Sequence, residues 1–230
     1  DSSTSRGLGD VYKRQIYILL TSLTFLVVGC QNESEEIRLI NQAERLFDAY
    51  PDSVITTLDS IPLPEEMSPR LVARWCMLYA RAADKIEDEM PYTNQLEIAL
   101  KYYQKKKMRE EEAEIGLYLG RSYVEDKEYE KAMRAYSDAL EVALAIKDYN
   151  RAGYICSYMG DLYEVDLRYI LAAEKYKESG KYFHLANNTT SYVRAFVNEA
   201  HSYSIADSSY LALALSLIHI SEPTRRRGIS

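Results

Sequence analysis

Ala113 to Gly180, AEIGLYLGRSYVEDKEYEKAMRAYSDALEVALAIKDYNRAGYICSYMGDLYEVDLRYILAAEKYKESG, writes one helical-hairpin pattern twice. Leu119, Gly120 and Tyr123 are followed by Ala132, Tyr136 and Ala139. Shifted by 40 residues, Met159, Gly160 and Tyr163 are followed by Ala172 and Tyr176, with Ser179 in place of the second alanine. A third, weaker copy keeps Tyr203 and Ala212 and has Ala200 where the glycines stood. An unrelated run of amphipathic helices would not bring Gly, Tyr, Ala and Tyr into phase twice. A period of this size marks stacked helix pairs, in which no unit buries its apolar face alone and stability comes from neighbours.

Each position has a physical reason. A glycine inside a helix costs about 1 kcal/mol against alanine, so Gly120 and Gly160 imply a compensating close approach by the second helix of the pair. Tyr123 and Tyr163, three residues on, share the glycine face and are expected to fill the volume beside it. In the second helix, Ala132, Ala135, Tyr136, Ala139, Leu140, Ala143 and Ile146 recur at three- and four-residue steps, an apolar stripe broad enough for a core. The expectation is that small residues face small ones across the pair.

The pattern Leu-Gly-x-x-Tyr followed by Ala-x-x-x-Tyr-x-x-Ala, with Tyr129 and Tyr169 just before the second helices, resembles the tetratricopeptide repeat in a longer form of about 40 residues. The resemblance implies an all-α solenoid of antiparallel helix pairs coiled into a right-handed superhelix. It also implies a concave face that binds proteins or peptides and seldom carries catalysis. The pairs are expected near residues 35–60, 68–106, 109–147 and 150–186, with half of a fifth over 190–214. In the first pair Ile37, Ile40, Ala43, Phe47 and Tyr50 form one face, Pro51 ends the first helix, and Asp52 or Ser53 starts the second. Ser68-Pro69 opens the next helix as cap and first residue.

Residues 1–15 and 215–230 resemble translated sequencing-adapter read-through, and the three arginines Arg225 to Arg227 are therefore left out of any reading of charge. Ile16 to Val28 is an apolar run of 13 residues, the length of a signal-peptide core, and leads into Val27-Val28-Gly29-Cys30. That tetrapeptide resembles the lipobox of bacterial lipoproteins, with Val where Leu is more usual. The resemblance implies cleavage before Cys30, acylation of its thiol and attachment to a membrane by the acyl chains. Each buried methylene of those chains contributes about 0.8 kcal/mol. Gln31 after the cysteine favours the outer membrane of a Gram-negative envelope by the same resemblance, facing either the periplasm or the surface.

Without the two ends, 22 basic and 32 acidic residues leave a net charge of −10, which argues against nucleic acid as a partner. Cys76 and Cys156 lie in helical apolar patterns without metal-ligand spacing and read as core thiols. His184 and His201 stand apart from any second ligand, so no metal is expected. No phosphate loop, nucleophile elbow or nucleophile–base pair is present, so no catalytic residue, cofactor or enzymatic activity is expected. The tyrosines read as repeat-packing residues, with carbohydrate stacking as the other use of so many rings.

By the geometry the resemblance implies, the first helix of each pair lines the groove. Arg74, Met77, Arg81, Glu114, Leu117, Arg121, Tyr154, Ser157, Asp161, Arg194 and His201 are the positions expected there. Arg81, Arg121, Asp161 and His201 form one series at the repeat period. The arginines either grip a carboxylate of the partner or neutralise acidic neighbours in adjacent repeats. Three functions fit: an envelope-anchored scaffold holding an unidentified protein or peptide, the ectodomain of a larger signalling or transcription regulator, and a glycan-binding outer-membrane lipoprotein.

Overall fold

The computed structural model describes residues 35–62 and 64–206. The readings made on the chain ends, the apolar run, Cys30 and the second half of the last repeat lie outside the described residues. Every regular element among the described residues is helical. The chain divides between Ile86 and Glu87 into two compact units, and this division falls inside the pair expected over 68–106.

The first unit holds α1 (35–46), α2 (Pro51–Asp59), a 3-10 turn (Pro64–Glu66) and α3 (Pro69–Ile86). Helix α1 ends earlier than the apolar face suggested. Pro51 does not trail it but opens α2, where the missing N–H is one of the groups a helix start leaves unpaired anyway. Ile40, Val54, Leu58, Val72, Trp75 and Cys76 are buried. The Trp75 indole N–H donates to the Leu58 carbonyl at 3.2 Å, so the largest core side chain leaves no polar atom unpaired.

The second unit holds α4 (Thr93–Lys106), α5 (Arg109–Glu125), α6 (Tyr129–Ala145), α7 (Tyr149–Val165), α8 (Tyr169–Leu185) and α9 (Thr189–Ile205). From α5 onward each packs on the helix before it, and α5 also touches α7, so these two first helices lie side by side. Helices α5 to α9 are each 17 residues long, about 25 Å at 1.5 Å per residue. Equal lengths follow from equal stops. Lys107, Lys127, Lys147, Leu167 and Asn187, spaced 20 apart, all adopt a left-handed backbone with φ between 56° and 62°. At each, the following residue's N–H reaches the carbonyl five residues back: Glu128 to Tyr123 at 2.8 Å, Asp148 to Ala143 at 2.9 Å, Arg168 to Tyr163 at 2.8 Å and Asn188 to Phe183 at 2.9 Å. This is the Schellman arrangement, which pairs carbonyls the helix end would strand. The same residue then caps the next helix. Asp148 and Asn188 do so with their side chains, accepting from the N–H groups of Arg151 (2.9 Å) and Ser191 (3.1 Å).

Close approach at the glycines takes a form the sequence did not show. A Cβ on Gly120 would lie 2.2 Å from Tyr136 Cε1, and one on Gly160 would lie 2.7 Å from Tyr176 Cε1. The glycines are thus sockets for the tyrosine rings of the partner helix, 16 residues on. Small does meet small at Gly116, whose added Cβ would lie 2.9 Å from that of Ala139. Tyr123 is turned toward α4, where its hydroxyl donates to Glu97 at 2.6 Å; burial, with that carboxylate nearby, pushes its pKa up to about 12. Ala132, Ala139, Ala172, Tyr136 and Tyr176 are buried, while Tyr163, Ala200 and Tyr203 are half-buried.

Candidate functional site: the open face of α5, α7 and α9

At 100° per residue, Gly153 and Gly160 direct one side of α7 at α8, while Tyr154, Tyr158, Asp161 and Val165 fall together on a side turned well away from it. The matching positions are Arg121 and Glu125 on α5, with Glu114 and Tyr118 buried in the same row, and Arg194, Asn198, His201 and Ile205 on α9. Neighbouring first helices bond to one another along this row. The Arg151 guanidinium donates to Glu114 at 3.1 Å and also pairs with Asp148, and the Tyr118 hydroxyl donates to Glu114 at 3.3 Å. The Tyr154 hydroxyl meets Ser191 Oγ at 3.2 Å while its ring stands edge-on to Phe183, with centroids 4.9 Å apart.

Between the C-terminal ends of α5 and α7 and the first half of α6 lies a crevice of about 250 Å³. Val124, Leu162 and Val165 give it apolar sides, and Arg121, Glu125, Tyr136, Tyr158 and Asp161 give it polar atoms. The Arg121 guanidinium sits 5.6 Å from the Tyr158 ring centre, and Tyr158 stacks on Tyr136 at 5.9 Å with the planes 12° apart. Asp161 accepts from the Tyr176 hydroxyl at 2.6 Å. Its carboxyl is nonetheless held above the usual carboxylate range, because the surrounding protein desolvates it and Glu164 lies close, outweighing that hydrogen bond. Glu125 is raised for the same first reason, against the Met90 N–H that bonds it and the charge of Arg121.

Of the positions expected in the groove, Arg121 and Asp161 meet in this crevice, and Tyr154, Arg194 and His201 are exposed on α7 and α9. Leu117 and Met77 do not belong there: at 7% and 6% exposure, both are buried in helix packing. Ser157 is turned toward α8, where it bonds Ser179 at 2.7 Å. In the first unit Arg74 is taken up by Glu44 at 2.7 Å and Asn41 at 2.9 Å, the neutralising use of an arginine, and Arg81 is half-buried. Glu125, Tyr158 and Val165 were missed. Glu125 and Val165 each stand four residues beyond an expected groove position, and that i,i+4 step was the available signal.

No protein-family model matches the chain, and no curated protein sequence does. Solved structures do match. A Podosopora anserina putative kinesin light chain with nearly identical TPR-like repeats is 13% identical, with a TM-score of 0.59, over 84% of this chain and 98% of that one. A single-substitution form of the same protein is 12% identical with a TM-score of 0.58, over 81% of this chain and 93% of that one. At such identities the likeness is one of fold alone, and the fold of this chain is the TPR-like α-solenoid.

Proposed function

We propose that the chain is a non-enzymatic scaffold that holds a segment of another protein along the open face of α5, α7 and α9, and that acyl chains on Cys30 anchor it to a bacterial outer membrane. One observation carries the scaffold reading. The helices spend their glycine faces on each other and leave a row of aromatic and charged side chains, Tyr154, Arg194 and His201 among them, outside the packing. Such a row suits a partner that brings both apolar and polar groups. The anchor rests on the sequence pattern ending at Cys30.

Peptides selected by display against the full chain test the first part. Selected sequences should bind saturably and lose about tenfold in affinity, 1.4 kcal/mol, to the variant Tyr154→Ala/Arg194→Ala. That variant should keep the parent's helical signal, with a melt lowered only by the loss of the Tyr154 contacts to Phe183 and Ser191 and still well above the temperature of the binding assay. Equal binding to both proteins would refute the reading. For the anchor, fatty-acid labelling and sedimentation with membranes should both disappear in Cys30→Ser; a parent chain that stays in the soluble fraction unlabelled would overturn it.

A further inference from the structure

Two repeats place the same tyrosine differently. Tyr176 fits its ring over Gly160 and donates its hydroxyl to Asp161. Tyr136 fits over Gly120 in the same way, but the position matching Asp161 is Arg121, which cannot accept a hydrogen bond. The Tyr136 side chain is 1% exposed, it borders the crevice, and its hydroxyl has no hydrogen-bond partner among the described residues. The hydroxyl can both donate and accept, and on this crevice it is open to a bound group.

The charges around it select the partner's sign. Two carboxylates, Glu125 and Asp161, and one guanidinium, Arg121, border the crevice. Desolvation raises both carboxylates, and at Glu125 it outweighs the lowering charge of Arg121. Arg121 is drawn over the Tyr158 ring. Two carboxylates against one guanidinium leave the crevice with an excess of negative charge, beside the apolar sides Val124, Leu162 and Val165.

We infer that the crevice receives a lysine or arginine side chain of the bound segment, its aliphatic stem against those three residues and its charged head among Glu125, Asp161 and the Tyr136 hydroxyl. This deepens the scaffold reading and rests on it for the source of the side chain. A long basic side chain has the two-part character that the crevice offers, since it buries its stem while its head stays with polar groups. A carboxylate would have Arg121 in its favour and two carboxylates against it.

The test uses the full chain and three small probes: n-butylguanidinium, butyrate and butyramide. Titrations followed by NMR of the tyrosine rings should show n-butylguanidinium shifting Tyr136 and Tyr158 saturably, with affinity about fivefold weaker in both Asp161→Asn and Glu125→Gln. Both substitutions keep a carbonyl to accept from the Tyr176 hydroxyl and the Met90 N–H, so the fold is retained. Butyrate or butyramide binding more tightly than the guanidinium would overturn the inference, as would a guanidinium titration that neither variant weakens. The two readings fail separately. Selected peptides that bind the open face and are insensitive to both variants leave the scaffold standing and remove the basic-residue subsite. Guanidinium binding sensitive to both variants, with no selected peptide, supports the subsite and removes the scaffold.

Discussion

Replacing Gly120 by alanine should destabilise the protein by about 2 kcal/mol, although alanine is the better helix former. The added Cβ would lie 2.2, 2.4 and 2.8 Å from Cε1, Cδ1 and Cζ of Tyr136, whereas carbons in comfortable contact are about 3.5–4.0 Å apart. The ring, 1% exposed and stacked on Tyr158, can give way only by breaking that stack toward the crevice. Overpacking of this kind costs about 3 kcal/mol at the upper end of its usual range. Helix propensity returns about 1 kcal/mol, leaving the net of about 2. For a domain of this size that lowers the melting temperature by about 4–8 °C, readable by circular dichroism. Gly180→Ala is the matched control. Its Cβ would meet nothing nearer than 3.8 Å, so propensity alone acts and the melt should rise by about 2–4 °C. Adding Tyr136→Leu to Gly120→Ala should show a coupling of about 1 kcal/mol or more in a double-mutant cycle. A Gly120→Ala protein melting at or above the parent, or a Gly180→Ala protein falling alongside it, would refute the socket.

Three further perturbations have signed outcomes. Leu167 is 72% exposed and left-handed at φ 57°, so Leu167→Gly should stabilise by about 1 kcal/mol in urea unfolding, while a loss would mean the side chain packs after all. Glu199 is 6% exposed at the position where the earlier repeats bury Leu119 and Met159, and desolvation raises its pKa despite Lys177 and Lys181. A raised folded-state pKa means the fold prefers the protonated form, so this group's penalty is full above that pKa and is relieved as pH falls through it. Glu199→Met should therefore gain about 1–2 kcal/mol at neutral pH and lose that part of the pH dependence, and parallel pH profiles of the two proteins would count against the assignment. Arg151→Met should cost about 2 kcal/mol by removing the cation beside Glu114, which is 12% exposed at its side chain, and Glu114→Gln should restore most of it; no recovery would show the pair is not coupled.

The 40-residue phase of Gly120 and Gly160 carried the helix pairs because a glycine inside a helix has few explanations other than contact. What met the glycine was less legible. Alanines at 132 and 139 suggested small against small, but a tyrosine in the stripe can point its ring along the helix and fill the same socket, and the one-letter pattern does not distinguish the two. The groove positions divided along physical lines. Arg121, Asp161, Tyr154, Arg194 and His201 reached the open face or its crevice, while the apolar Leu117 and Met77 went into the packing, and so did Glu114 and Ser157, each held by a polar partner there. The left-handed stops were hidden because lysine, leucine and asparagine fill a place that glycine would have advertised.

Those stops have a mechanical consequence. Because Glu128, Asp148, Arg168 and Asn188 each close one helix and open the next, a helix end has no slack of its own, and loosening it loosens its successor's first turn. A chain built so yields to a pulling force in quanta rather than by gradual fraying. Each quantum is one helix and its turn, a contour length of roughly 70 Å for 20 residues at about 3.3–3.6 Å apiece. Drawn from one end, the second unit would act as a ratchet of equal teeth.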